Sequence, residues 1–299
     1  LAARTARFGG ILRSASIHNL IQDQEIKQYQ GVIDLQNLDE LSEQVYTPFD
    51  VEGRLLEAFD VPPSRRIPGV GRPPRDPKNP RINLFPLASD PLRTIPPAVT
   101  RAVALAAAEF GPVNILLNPH QLESAPYADA LMGGLPGNVT ITMEAMGFED
   151  LVKIVSETDY GLFCDSAPCH LAKLYDVMGF AVFTTIPADM RVGRYRNFRA
   201  WQAKYRGRHC QAPCGLALLL TTPSGQRGCW ETLGPDHAGY RRSRVIGDEK
   251  ELLGFTFDRP VPCVAAVRDK ASVLAKAVAR DIRNRPVGRG TALQDADGV

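Results

Sequence analysis

The sequence predicts an α/β protein built on a parallel, Rossmann-like sheet. Two observations carry that prediction. From position 81 onward, short apolar runs alternate with segments of helical periodicity, the pattern of strands crossed by covering helices. In addition, the apolar run Tyr160–Cys164 leads straight into Asp165-Ser166-Ala167-Pro168, a helix start placed at a strand's carboxyl end. Open α/β sheets bind ligands at such ends.

The elements read in order as follows. Arg81–Phe85 is a strand and Pro97–Glu109 an alanine-rich helix with proline at its start. Val113–Leu117 is a strand, and Ala125–Met132 a helix stopped by Gly133-Gly134. Val139–Ile141 is a strand. Gly147–Val155 is a helix with Phe148, Leu151, Val152 and Val155 on one side. Tyr160–Cys164 is a strand, Cys169–Val177 a helix and Phe180–Thr185 a strand. Ala271–Arg283 is a last helix with Val273, Leu274, Val278 and Ile282 apolar.

Upstream the pattern is less regular. Leu1–Ile26 is mixed, Val32–Leu35 is a short strand, and Asp50–Phe59 has helical spacing ended by Pro62-Pro63. Residues 64–80 carry Pro68, Pro73, Pro74, Pro77 and Pro80 among arginines and glycines, a composition that makes a linker rather than a core. The expected organisation is therefore a partial N-terminal domain over 1–63, a linker over 64–80 and the main α/β domain over 81–265. A C-terminal helix over 266–287 and a tail over 288–299 complete it.

Composition narrows the function classes. With 299 residues, 44% hydrophobic and 23% charged, the chain has the makeup of an ordinary globular protein. A net charge of +2 gives no global field of the kind that marks a nucleic-acid or membrane binder. The charge is unevenly placed, however. From Arg191 to Trp230 there is no acidic residue, but there are Arg191, Arg194, Arg196, Arg199, Lys204, Arg206, Arg208 and Arg227. This run is either a solvated basic face or a surface turned toward an anion such as a diphosphate. Binding to nucleic acid would rest on this run alone. No apolar run reaches the roughly 18 residues of a membrane span. Leu1–Arg13 has no apolar stretch of the secretory type. Six cysteines in a chain of this size do not make a disulfide scaffold. The expectation is a reduced, cytoplasmic protein.

Ser166 suits an N-cap and Pro168 the first helical turn, so the helix that follows aims free N–H groups and its positive dipole end into the strand-end crevice. Small residues at Ser166 and Ala167 let a phosphate reach the backbone. Asp165 beside them would repel phosphates, so its expected job is to accept hydrogen bonds from sugar hydroxyls. The plainer alternative is that Asp165 and Ser166 only cap the helix. Cys164 and Cys169 flank the segment, but neighbouring residues on a helix point apart, which argues against a nucleophilic pair of Cys169 with His170.

Asp165-Ser166-Ala167-Pro168-Cys169-His170-Leu171-Ala172 resembles the Asp-Ser/Thr-Gly-x-x-His-Leu-Ala motif of glycosyltransferase family 9, the heptosyltransferases. Other stretches follow in the family's order. Phe85-Pro86-Leu87-Ala88-Ser89, with Arg93 downstream, is similar to a Pro-Gly-Ala-Ser-like loop and the basic residue that meets the donor phosphates. Ile115–Glu123 is similar to the strand and loop whose Glu holds the donor ribose, making Glu123 the candidate. Phe183–Gly193 is similar to a Phe-Gly-Pro-Thr-x-Pro-x-Arg-x-Gly loop and brings in Arg191. The chain departs from the family at Leu87, Ala167 and Thr184, each standing where glycine is usual.

The resemblance implies a GT-B fold, with a nucleotide-sugar-binding C-terminal domain and 1–63 belonging to the acceptor side. It implies transfer of a sugar, heptose in the family, from a nucleotide-diphosphate donor to a cell-envelope glycan or lipid-linked acceptor. The enzyme would work in the cytoplasm, extending to the inner face of a bacterial membrane. Donor binding falls to Asp165, Ser166, Ala167, His170, Arg93, Ser89, Glu123 and Arg191. No cofactor or metal is expected. Cys210, Cys214, Cys229 and His209 form the alternative metal set, against their reading as buried thiols. The family's Gly-Asp segment, which supplies the base for the acceptor hydroxyl, has no counterpart in this sequence, so no catalytic residue is assigned. The rival reading is a catalytically inactive GT-B-like protein that serves as a binding or structural subunit of a larger assembly.

Overall fold

The computed structural model describes residues 79–144, 147–175, 177–193, 195–207, 211–214, 257 and 260–284. The expected N-terminal domain, most of the linker, the tail, His209, Cys210 and Cys229 lie outside the described residues.

The chain alternates as its periodicity requires. Strand β1 (Ile82–Phe85) leads to helix α1 (Pro97–Ala107), β2 (Val113–Leu116) to α2 (Ser124–Leu131), and β3 (Val139–Thr142) to α3 (Phe148–Glu157). Then β4 (Tyr160–Phe163) leads to α4 (Ala167–Leu174), β5 (Met178–Phe183) to α5 (Ala188–Val192), and β6 (Phe198–Gln202) closes the series. A short antiparallel pair, β7 (Tyr205–Arg206) and β8 (Gln211–Ala212), follows, and helices α6 (Pro262–Arg268) and α7 (Ala271–Asn284) end the described chain.

The six long strands form one parallel sheet in the order β3-β2-β1-β4-β5-β6. This is the doubly wound Rossmann order, in which the chain reverses direction across the sheet between β1 and β4. The expected fold class is thus the one observed. Strands β6, β7 and β8 and helices α5 and α6 go beyond the expectation. Strand β6 sits inside the basic run, α5 inside what reads as a loop, and α6 opens on Pro262, a helix-start signal present in the sequence. Helix α4 begins at Ala167 rather than Cys169, because Pro168 fits the first turn, where its missing N–H has no partner to lose.

Alternate residues of each strand enter different cores, as the pleat dictates. Leu84, Ile115, Leu162 and Val182 face α1 and α7, packing with Val99, Val103, Leu274 and Val278. Phe85, Leu116, Phe163 and Phe183 face the other way, against Val155 of α3, Cys169 and Ala172 of α4 and Val192 of α5. Each such fully buried side chain contributes on the order of 1.5–3 kcal/mol. The second core is aromatic at its centre: the rings of Phe85 and Phe163 stack at 5.3 Å, and Phe198 tilts against Phe163 at 5.5 Å. Gly161 and Gly179, paired across β4 and β5, leave the slot that the Phe163 ring fills.

Helix α7 is held to the sheet by more than apolar contact. The Tyr160 hydroxyl donates to Asp281 Oδ2 at 2.8 Å, and Arg199 Nε lies 2.6 Å from Asp281 Oδ1. One buried carboxylate of α7 thereby ties β4 and β6 together. Among the described residues, no helix is long and apolar enough to cross a membrane.

Candidate anion-binding site at the strand switch point

The sheet order places the ends of β1 and β4 side by side at the reversal point, where doubly wound sheets open a crevice. The segment after β1 is a tightly bonded loop. Asp90 Oδ1 accepts the Leu92 N–H at 2.9 Å, Asp90 O accepts the Arg93 N–H at 3.0 Å, and the Ala88 N–H donates to Thr94 Oγ1 at 3.2 Å. Thr184, at the end of β5, donates its hydroxyl to Leu92 O and anchors the loop from outside. These bonds fix the backbone that carries Arg93.

Arg93 bridges the two strand ends. Its Nη2 donates to Ser89 Oγ at 2.8 Å, and its Nη1 donates to the Asp165 carbonyl at 2.5 Å and lies 3.4 Å from Asp165 Oδ2. The other carboxylate oxygen, Oδ1, faces Arg191 Nε at 3.3 Å and His170 Nε2 at 3.6 Å. Asp165 is only 4% exposed, whereas almost half of the His170 side chain is open to solvent. The carboxylate therefore lies at the floor and the imidazole at the rim.

Charge balance decides the state of this carboxyl. Burial alone would raise its pKa. The N–H side of the His170 ring and the positive charges of Arg191 and Arg93 outweigh burial and hold it at about 2. Asp165 is consequently an ionised counter-charge at neutral pH and a poor proton acceptor. The contacts of its oxygens with the surrounding side chains are long, 3.3–3.6 Å, and act as ion pairs more than as hydrogen bonds.

Ser166 occupies the N-cap position of α4 with extended backbone, but its side chain does not cap the helix; its Oγ instead lies 3.3 Å from Cys164 Sγ as acceptor. Ala167 is the first helical residue. Right-handed backbone there needs no glycine, so the Ala167 departure is the mild case. The other two departures have structural duties: Leu87 packs against the core, and Thr184 makes the bond to Leu92 O.

Glu123 stands apart from this cluster, at the head of α2 on the loop after β2, with its carboxyl pushed up by burial. Its loop is nevertheless joined to the β1 loop, since Gln121 Nε2 donates to Ala88 O at 3.1 Å. The structure thus brings together Ser89, Arg93, Asp165, Ser166, His170 and Arg191, and places Glu123 further along the same sheet edge. The basic run is divided: Arg191 turns to Asp165 and Arg199 to Asp281.

Sequence reasoning missed Lys173. It lies one turn after His170 on α4, is almost completely buried, and places Nζ 3.1 Å from His170 Nδ1 and 5.1 Å above the Tyr195 ring. The three-residue spacing that puts it beside His170 was present in the sequence. The two cysteines beside the site are buried free thiols: burial pushes Cys164 up to about 12 and Cys169 up as well. Neither is a nucleophile in this state. Among the described residues no group of histidine, cysteine and carboxylate side chains could hold a metal ion.

Strand order and site together define a doubly wound α/β domain with two arginines gathered on a buried carboxylate at its switch point. No protein-family model matches the chain, and no curated protein matches it. Among solved structures it is similar to ADP-heptose lps heptosyltransferase II from E. coli, at 14% identity over 50% of this chain and 42% of that one, with a TM-score of 0.37. It is also similar to E. coli heptosyltransferase WaaC with ADP, at 13% identity over 42% and 39% of the two chains, TM-score 0.37. A third is the glycosyltransferase SnogD from Streptomyces nogalater, at 15% identity over 72% and 48%, TM-score 0.31. The chain spans less than half the length of each of these three proteins. At such scores the likeness bears on neither activity nor substrate, and the fold assignment rests on the strand order itself.

Proposed function

We propose that this domain binds the diphosphate of a nucleotide-sugar at the β1–β4 switch point and serves a heptosyltransferase-like glycosyltransferase of the GT-B type. The observation that carries the reading is the convergence of Arg93 and Arg191 on Asp165 beside the N-terminus of α4. Two guanidiniums set against one carboxylate leave a positive surplus, and guanidinium forks match phosphate oxygens. The Ala167 N–H, which has no intrahelical acceptor, adds a donor of the kind that binds anions at helix starts. The family-9 resemblance of the Asp165–Ala172 motif supports the sugar as the rest of the ligand.

In this reading Arg93, Arg191 and the helix start hold the diphosphate and stabilise the negative charge that develops as it leaves. Asp165 sets the two arginines in place and keeps acceptor capacity for a sugar hydroxyl. Glu123, further along the edge, takes the ribose. Transfer would need neither metal nor cofactor. The acceptor would be a cell-envelope glycan or lipid-linked molecule, met in the cytoplasm or at the inner face of the bacterial membrane.

The rival reading is a non-catalytic binding subunit, and the state of Asp165 does not separate the two, because neither makes this carboxylate the base. The buried carboxylate of the site is held ionised by cations at about 2, far too acidic for an efficient general base near neutrality. Titration with nucleotide-sugar, paired with a donor-turnover assay on the same chain, separates the two. Binding with turnover supports the enzyme, and binding without it supports the subunit. Asp165→Ala should abolish measurable binding while the fold persists; unchanged affinity would remove Asp165 from the site.

A further inference from the structure

The buried lysine of α4 has no part in the reading above, yet it touches a residue of the site. Lys173 and His170 lie one helical turn apart on the same face, with Nζ 3.1 Å from Nδ1. An ammonium has three donors and no acceptor, so the imidazole nitrogen that meets it must be the acceptor. A neutral imidazole carries one proton, and that proton then sits on Nε2. Nε2 is the atom turned toward Asp165 Oδ1, at 3.6 Å. The Lys173 ammonium is itself fixed: it is 5% exposed and lies over the Tyr195 ring at 5.1 Å. The aromatic face stabilises it as a cation.

We infer that Lys173 is a positioning residue that fixes His170 with its proton on Nε2, making the imidazole a donor toward the Asp165 carboxylate, and so a brace of the anion site, rather than a base at that atom. The role in ligand binding rests on the proposed nucleotide-diphosphate site; the hydrogen-bond arrangement does not. Lys173 acts only through His170. Its removal frees the ring to turn or to move its proton, and the donor facing Asp165 is lost or diluted. Loss of one such donor weakens binding by roughly 5- to 10-fold.

Two measurements on the full chain test this. The first is the ring-nitrogen spectrum of 15N-histidine-labelled protein at about pH 8.5, two units above the ordinary imidazole value. His170 is assigned among the five histidines by its loss in His170→Ala. The expected result is an unprotonated Nδ1 and a protonated Nε2; a proton on Nδ1 would overturn the inference. The second is a double-mutant cycle on ADP affinity, built from Lys173→Met, His170→Ala and their combination. The expected result is the weakening given above for Lys173→Met alone and no further weakening in the His170→Ala background. Equal weakening in both backgrounds, or none in either, would contradict a role through His170. Lys173→Leu takes the place of the methionine variant should the latter not fold. If ADP does not bind the unmodified chain, the proposed function fails, and with it the ligand-binding role. The nitrogen spectrum still decides the arrangement.

Discussion

Arg191 Nε stands 3.3 Å from Asp165 Oδ1, so a guanidinium carried by the connection between β5 and β6 closes on the carboxylate at the end of β4. With Arg93 on the other oxygen, that carboxylate is clamped from the loop after β1 and from helix α5. The clamp relates the electrostatics of the site to the stability of the domain, and it gives the first prediction.

Asp165 should make the protein sensitive to acid in a defined window. Its folded pKa, about 2, is depressed below the ordinary value of about 3.9. A depressed carboxyl contributes stability that is fully present above the unfolded value and is lost as pH falls through the folded one. The contribution is on the order of 2–3 kcal/mol, lost between about pH 4 and pH 2. Urea denaturation at several pH values should show a steeper decline across that window for the unmodified protein than for Asp165→Asn. Identical slopes would mean the carboxylate is not held by its cations.

The slot for Phe163 gives a second prediction. A Cβ at Gly179 would stand 2.6 Å from Phe163 Cε2 and 2.9 Å from the Gly161 carbonyl oxygen, and one at Gly161 would stand 2.2 Å from Phe163 Cζ. Both substitutions to alanine should destabilise by about 1–3 kcal/mol, the range for overpacking a close-packed core. Phe163→Leu should relieve much of the Gly161→Ala loss. It should relieve less of the Gly179→Ala loss, because a backbone oxygen remains in the way. Denaturant midpoints of the single and double variants check this.

How much of this was legible in the sequence differs between fold and site. Five of the six sheet strands could be read: β1, β2, β4 and β5 are largely buried, mostly apolar runs, and the edge strand β3 alternates Val139 and Ile141 with threonines between turn residues. Strand β6 could not, since Phe198-Arg199-Ala200-Trp201-Gln202 has no apolar run, carries charge and lies within the basic stretch. Its arginine reads as part of a basic surface until the fold supplies Asp281. At the site, Asp165, Ser166, Arg93 and Arg191 could be named, but not their relation. Asp165 reads as a group waiting for sugar hydroxyls, and only the chain's return through α5 shows that arginines occupy it. Lys173 escaped notice because a lysine after an apolar stretch reads as solvent-facing, whereas here the ammonium has an imidazole and an aromatic ring to meet it.

The thiols beside the site give a third prediction. Cys164 and Cys169 are buried, with burial raising both pKa values, so the thiolate population at neutral pH is very small. Alkylation of the native protein at about pH 8, near the ordinary thiol value, should leave both unmodified. Labelling should appear only with denaturant, as peptide mass spectrometry would show. Rapid native labelling of Cys169 would mean that α4 opens and exposes the second core.

Calorimetric titration with ADP shows whether Arg93 and Arg191 form a diphosphate-binding site. Saturable binding to the full chain is expected, with roughly 10- to 100-fold weaker binding for Arg93→Ala and for Arg191→Ala, the loss of one charge-assisted contact in each case. Absence of saturable binding, or affinities unchanged in both variants, would contradict such a site.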